Sequence, residues 1–537
     1  MINKVNEKFN SRRSAVLGLN GLVSTSNPLA ANAGLDILKK GGNAIDAAIA
    51  AAAVLNVVEP MSTGVGGDVF ALIYRKNDKS IKAFNGSGKS ALNTNITDLE
   101  SKDLKTMPLE GNNSGLSVSV PGAVDAWSQL ISEFGKFNLD TILNPAIDLA
   151  ENGFGVSEVT ANYWKQSESK LSINGDCELL PRGKAPKFGD VVTLPSLGKT
   201  LRGIAEKGPS YFYKGQLPTL ISNYVKSFSG WLVEQDFENH SGEWVDPISS
   251  NYKGYDIWEC PPNGQGIAAL IALNIFENFT KYDLDESLKL HYQVEAMKIA
   301  FEDCLWYVAD PDKTNIPVEK LLSKSYAKQR FSEIDPNSSH KSYDKGNFTQ
   351  KGDTVYLTVI DGDGNACSFI NSLYQSFGTG LVVPGTGIAL QNRGALFSLN
   401  SNHPNFLMPG KRPFNTIIPC LITKESNLVS SLGVMGGFQQ PQGHLQVISN
   451  LIDSGMNPQE SLDSPRFSIN LDDKTLLLED SFCKDTVNNL SSKGHDIKIK
   501  SGFDRGSFGG GQVIIKKSNG VLVGGSDSRK DGLAISY

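Results

Sequence analysis

The stretch GNFTQKGDTVYLTVIDGDGNACSFINSLYQSFG, residues 346–378, changes character at its middle. Left of Thr354 it is polar and loose, with Phe348 its one large apolar side chain. From Thr354 onward TVYLTVI alternates apolar and polar, DGDGN forms a turn, and ACSFINSL alternates again, which predicts a β-hairpin. Asp361, Asp363 and Asn365 have the opening spacing of a calcium loop. The twelfth position would be Ser372 rather than glutamate, and no helix flanks the segment, so a hairpin turn is the reading. A polar run that stops at a threonine opening a strand has two explanations. It is a loop before a hairpin, or it is a place where the chain is cut between Asp353 and Thr354. The cut would free a threonine whose hydroxyl and α-amine sit together, and a hydroxyl nucleophile needs such a base.

Working outward, residues 333–353 hold almost no large apolar side chains and are expected to be exposed or mobile. Downstream, strands are predicted at 416–423, 427–433, 475–479 and 512–524, with a helix over 441–453 behind Gly436 and Gly437. Upstream, helical spacing appears at 28–40, 43–57, 121–135, 140–152, 196–206, 215–228, 265–279 and 286–308. Gly64, Gly66 and Gly67 lead into a strand over 69–74. Glycines before a strand are in the wrong order for a nucleotide-binding loop, so close backbone packing is the preferred reading. Helices dominate residues 120–330 and strands follow residue 353, which predicts an α+β layered fold.

The chain has 537 residues, with 39% apolar and 20% charged residues and a formal charge of −6. This describes a globular protein without the basic excess that nucleic acid requires. The six cysteines are scattered, at 177, 260, 304, 367, 420 and 483, and the six histidines show no metal-binding spacing. Neither a disulfide framework nor a metal site is expected, and no cofactor is called for. No signal-peptide core follows the N-terminus, and the apolar run 44–60 is too short to span a bilayer and carries Asp46, so a cytoplasmic protein is expected, with no membrane partner.

Several separated motifs then converge. VSTSNPLAANAGLDILKKGGNAIDAAIAAAAVLNVVEP, GVGGDVFALIY, GDTVYLTVIDGDGNACSFINSLYQSFGTG, KRPFNTIIP, GVMGGFQQPQGHLQ, SPRF and SDSRKDGLAISY occur in an order that resembles the γ-glutamyltranspeptidase family of N-terminal-nucleophile hydrolases. The resemblance implies a four-layer αββα sandwich and a proenzyme that cuts itself at Asp353–Thr354. It implies a large chain, 1–353, and a small chain, 354–537, that stay together as one catalytic unit, with homo-oligomers also within expectation. It implies Thr354 as nucleophile, Ser372 as the hydroxyl beside it, and Gly436 and Gly437 as the oxyanion hole. Asn415 and Thr416 fall where the family carries a serine pair that contacts the substrate carboxylate.

The departures bear on the substrate, a small amide. Asn85 stands where the family's carboxylate-binding arginine is expected, Leu396 where its amine-binding aspartate is expected, Tyr356 in place of a histidine and Tyr374 in place of an asparagine. Arg393 and Lys89 lie nearby as substitute cations. The expected activity is therefore cleavage of γ-glutamyl or related acyl amides through an acyl-enzyme. The alternatives are an amidohydrolase for oxamate-like or cephalosporin-type substrates, or a degenerate member that binds a small amide without turning it over.

Overall fold

The computed structural model describes residues 13–280, 286–339 and 353–537, and of Asp353 the backbone alone. Two seven-stranded sheets form its centre. One runs in the order Leu533–Ser536, Gly21–Thr25, Asp353–Asp361, Ala366–Tyr374, Asp68–Arg75, Ser80–Gly86, Glu243–Val245. The other runs Val16–Gly18, Leu522–Ser526, Gly511–Lys516, Asn427–Val434, Cys420–Lys424, Tyr255–Glu259, Ile248–Tyr252. Every pairing in both is antiparallel.

Strand periodicity divides the interior into three apolar layers. Val355, Leu357 and Val359 pack toward the helices Pro28–Lys39, Ala44–Val58 and Ala123–Phe134. Tyr356 and Ile360, from alternate positions of the same strand, pack against Leu421, Met435 and Ile514 between the two sheets. Ile422, Leu432 and Val434 face the helices Gly266–Phe276, Glu286–Tyr307 and Gln439–Ile452 on the far side. Successive side chains on a strand point to opposite faces, so one strand serves two layers. The result is the four-layer αββα sandwich that the resemblance implies.

The helix Ala44–Val58 is buried at all of its 15 positions. Its alanines let neighbours approach closely, and Asn43 with Asp46 closes a capping box. Asp46 also accepts the backbone N–H of Lys136 and Phe137 at 3.0 and 3.2 Å, which accounts for a carboxylate in so apolar a helix. Among the described residues no helix is long and apolar enough to cross a membrane.

Several expectations are corrected. The strand predicted over 416–423 starts only at Cys420, because Asn415 and Thr416 commit their carbonyls to Gln265. The run 512–524 is two strands, Gly511–Lys516 and Leu522–Ser526, turned by Gly520 at φ 90°. Residues 120–330 contain the strands Glu243–Val245, Ile248–Tyr252 and Tyr255–Glu259 as well as helices. Most of the segment 333–353 lies outside the described residues. Of its described start, Glu333 and residues 335–338 are exposed as expected, while Ile334 is buried and Ser339 N–H donates to Lys493 O at 2.7 Å, so this end is exposed but tethered.

Candidate active site

The hairpin strands Asp353–Asp361 and Ala366–Tyr374 build the centre of the site. Thr354 shares the face of Tyr356, Thr358 and Ile360, and Thr358 Oγ1 reaches Ser431 Oγ of the other sheet at 2.6 Å. The register shifts between Asp353 and Val355, a bulge that sets Thr354 beside Ser372. Their hydroxyl oxygens lie 3.0 Å apart and both residues are fully buried. Ser372 Oγ also accepts the Tyr374 N–H at 2.8 Å, and a hydroxyl so held can still donate its proton to Thr354.

The glycine loop before the next strand packs directly on this pair. A Cβ on Gly67 would come within 2.3 Å of Ser372 O, and one on Gly66 within 2.0 Å of Ala389 O. That bears out close backbone approach as the purpose of these glycines. It also seats Asp68 opposite Ser372 in the sheet register.

Asp68 is the residue that sequence reasoning missed. Its carboxylate accepts Gln391 Nε2 at 2.9 Å, Gly88 N–H at 3.1 Å and Asn415 Nδ2 at 3.3 Å, and pairs with Arg393 Nε at 3.9 Å. Burial raises its pKa to about 6, against the lowering effect of Arg393. Desolvation likewise lowers the Arg393 pKa to about 10, with Asp68 acting the other way. A lone carboxylate opening the strand DVFALIY was the available signal, since a buried charge needs a partner.

Arg393 is fully buried inside the site. Nη1 donates to Thr416 Oγ1 at 2.7 Å and the guanidinium stands 4.9 Å from the Tyr374 ring centre, while Nε and Nη2 have no hydrogen-bond partner among the described residues. Thr354, Ser372, Tyr374, Arg393, Asn415 and Thr416 thus meet in one constellation. Asn85 joins it at one remove, donating to Asn263 Oδ1 at 2.9 Å, and Asn263 O accepts the Asn415 N–H at 2.8 Å. Lys89 instead pairs with Asp312 at 3.5 Å with both side chains partly exposed. Leu396 is buried in the apolar cluster that holds Tyr374 and Phe414.

Gly436 and Gly437 have φ of 121° and 60°, a run of conformations that favours glycine. They precede the helix Gln439–Ile452, and Gln265 Nε2 ties Gly437 O at 2.9 Å to Thr416 O at 2.6 Å. Among the described residues neither glycine N–H donates to a protein acceptor.

Two other buried clusters gather metal-ligand types, Glu259–Cys420–His444 and His291–Glu295–His495. In the first, Val434 N–H donates to His444 Nε2 at 3.3 Å, which leaves the ring proton on Nδ1, facing Glu259 at 2.7 Å. In the second, Lys298 Nζ occupies Glu295 at 2.7 Å and the two imidazoles bond each other at 2.8 Å. Both read as hydrogen-bonded core groups.

A model of the γ-glutamyltranspeptidase family matches residues 30–537. The chain belongs to the γ-glutamyltranspeptidase family. Membership makes it an amidohydrolase of the N-terminal-nucleophile class. A glutathione hydrolase-like YwrD proenzyme of Bacillus subtilis is 38% identical, covering 97% of this chain and 99% of the relative. An oxamate amidohydrolase proenzyme of Klebsiella pneumoniae is 31% identical over 98% of this chain and 100% of its own length. The crystal structure of a cephalosporin acylase from Bacillus halodurans superposes with a TM-score of 0.91 at 42% identity, covering 100% of this chain and 99% of that one. Relatives within the γ-glutamyltranspeptidase family thus differ in the amides their names record.

Proposed function

We propose that this protein is a self-processing amidohydrolase with Thr354 as nucleophile, cleaving small amides whose acyl group carries a carboxylate. The observation that carries the reading is the Thr354–Ser372 hydroxyl pair at 3.0 Å, placed by a bulge at the start of a central strand. Before the cut, Thr354 Oγ1 attacks the Asp353 carbonyl, the Asp353–Thr354 C–N bond breaks as the ester forms and so frees the α-amine of Thr354, and water then hydrolyses the ester to the Thr354 hydroxyl and the Asp353 carboxylate. After the cut, that amine, with an ordinary pKa of about 7.7–8.0, serves as general base. The hydroxyl attacks the substrate amide, the tetrahedral oxyanion takes N–H bonds from Gly436 and Gly437, the amine leaves with a proton, and water releases the acyl group. Ser372 holds the nucleophile's oxygen in line.

Arg393 supports the carboxylate part of the reading. A guanidinium fork binds two carboxylate oxygens, and Nε and Nη2 here lack hydrogen-bond partners among the described residues. The apolar Leu396 argues against an α-amine in the pocket, since an ammonium beside it would be poorly solvated. The glutathione-like, oxamate-like and cephalosporin-side-chain alternatives differ in that acyl group. Intact mass of purified protein tests the reading: chains of 1–353 and 354–537 are expected without added protease, remaining associated in native mass. A single uncut chain after long incubation would overturn it and favour the degenerate binder.

A further inference from the structure

Arg393 and Asp68 are both fully buried, and their closest approach of 3.9 Å is loose for an ion pair. Asp68 comes nearest at Nε, beyond hydrogen-bond distance. Neither Nε nor Nη2 has a hydrogen-bond partner among the described residues. A buried guanidinium with two nitrogens free of hydrogen bonds there is an anion site that its protein carboxylate fills incompletely. Resting on the reading of Arg393 as the acyl-carboxylate anchor, we propose that the incoming carboxylate and Asp68 compete for Arg393, so that the acyl group binds together with one proton taken from solvent by Asp68. Asp68 is then a positioning residue. Ionised, it neutralises Arg393 in the resting enzyme. Protonated, it gives the cation over to the substrate, and the proton returns to solvent when the acyl product leaves.

The surroundings of Asp68 suit this role. Gln391 Nε2, Gly88 N–H and Asn415 Nδ2 hold the carboxylate in place. The charged or titratable groups that act on it are Arg393 and, more remotely, the buried phenol of Tyr213. Arg393 is the one cation among them in the uncut chain, and processing adds the Thr354 α-amine, with an ordinary pKa of about 7.7–8.0, beside Ser372. With its charge shared out to a second carboxylate, two anions would stand against one buried cation, and uptake of a proton removes that excess. The Asp68 pKa is already raised to about 6, so little further change brings protonation to neutral pH.

The test uses the processed enzyme and glutarate, fully ionised at neutral pH, as the probe. Calorimetric titrations at pH 7 in phosphate and in Tris, whose ionisation enthalpies differ, count protons bound per glutarate. More than about half a proton taken up is expected, and glutarate affinity should rise severalfold, up to about tenfold per pH unit, from pH 8 to pH 6. The isosteric Asp68→Asn variant, checked for self-cleavage and circular dichroism, keeps the Thr354 α-amine, so any uptake by that amine is common to both proteins, and the variant should take up about half a proton less per glutarate than the parent and show a flatter pH dependence. Glutarate binding without uptake in the parent, uptake in Asp68→Asn equal to the parent's, or no glutarate binding at all overturns the proposal. Because self-cleavage and the Thr354 dependence of amide hydrolysis are read separately, those outcomes leave the nucleophile assignment standing. Absence of uptake in the parent overturns the proposal even where Asp68→Asn fails to fold, and Asp68→Ser then carries the comparison.

Discussion

Tyr374 carries the Arg393 guanidinium on its ring at 4.9 Å, two residues along the strand from Ser372. The cation thus sits at the end of the strand that carries Ser372, while Leu396, in the same apolar cluster as Tyr374, offers no partner to an amine. A glutaryl anilide is therefore expected to outperform the matching γ-glutamyl anilide, which differs only by its α-amine. The measurement is kcat/KM for the pair, and a tenfold or greater advantage for the γ-glutamyl compound would sink the argument. Arg393→Leu should lower kcat/KM for the glutaryl compound by about 10²–10³, the worth of a charge-assisted contact plus stacking. Leu396→Asp, the substitution that supplies an amine partner, buries a carboxylate in an apolar cluster, so lower thermal stability should accompany any shift toward γ-glutamyl substrate.

Thr354→Ala should abolish both cleavage and amide hydrolysis, and Thr354→Ser should retain part of each. Ser372→Ala removes one hydroxyl from a 3.0 Å contact and should slow turnover by about tenfold. Timed gels and anilide release read both. Hydrolysis by Thr354→Ala at the parent's rate would place the chemistry elsewhere.

Gly436→Ala forces an alanine to φ 121° with Gly509 Cα 3.3 Å from its Cβ. The expected result is a shift of the 436–437 N–H groups and a fall in kcat of about 10²–10³, with substrate affinity little changed. A fall confined to KM would remove these glycines from the oxyanion role.

The stability of the folded protein should depend on Asp68 between pH 4 and pH 6. Its carboxyl keeps a proton up to about 6 when folded, against 3.8 ordinarily. Over that window the folded state binds more protons than the unfolded one, so this group's contribution falls as pH rises, by about 3 kcal/mol in total. Equilibrium urea unfolding in the uncut Thr354→Ala background, with Asp68 retained as the parent and with Asp68→Asn as the variant, at pH 4.5 and pH 7 isolates the effect. The parent should lose ground to the variant at the higher pH, and an equal gap at both values would mean that Asp68 does not titrate as its burial implies.

The layered fold and the hairpin were legible because they rest on local signals. TVYLTVI and ACSFINSL alternate, DGDGN turns, and Gly66 and Gly67 announce a backbone approach that the packing on Ser372 and Ala389 explains. Arg393 was visible as a cation near the vacated positions, but its burial was not, because the residue that neutralises it lies 325 positions away at Asp68. Thr416 read as the start of a strand by composition. Its carbonyl accepts the Gln265 side chain and the Asn415 carbonyl accepts the backbone N–H of Gln265, a residue 150 positions upstream that no local pattern shows. What escaped the sequence was the pairing of polar groups across the two sheets.

The strand orders carry a final consequence for the lifetime of the protein. The segments before and after Asp353–Thr354 are interleaved in both sheets. Gly21–Thr25 lies between Leu533–Ser536 and Asp353–Asp361, and Val16–Gly18 borders Leu522–Ser526. A single uncut polypeptide finds this arrangement by an intramolecular search. Once cut, the same arrangement can be regained only by two molecules meeting, each with unpaired sheet edges open to the wrong neighbour. Thermal unfolding should be reversible, if at all, only for the Thr354→Ala precursor, while the processed enzyme relies on the slowness of its unfolding rather than on any capacity to refold.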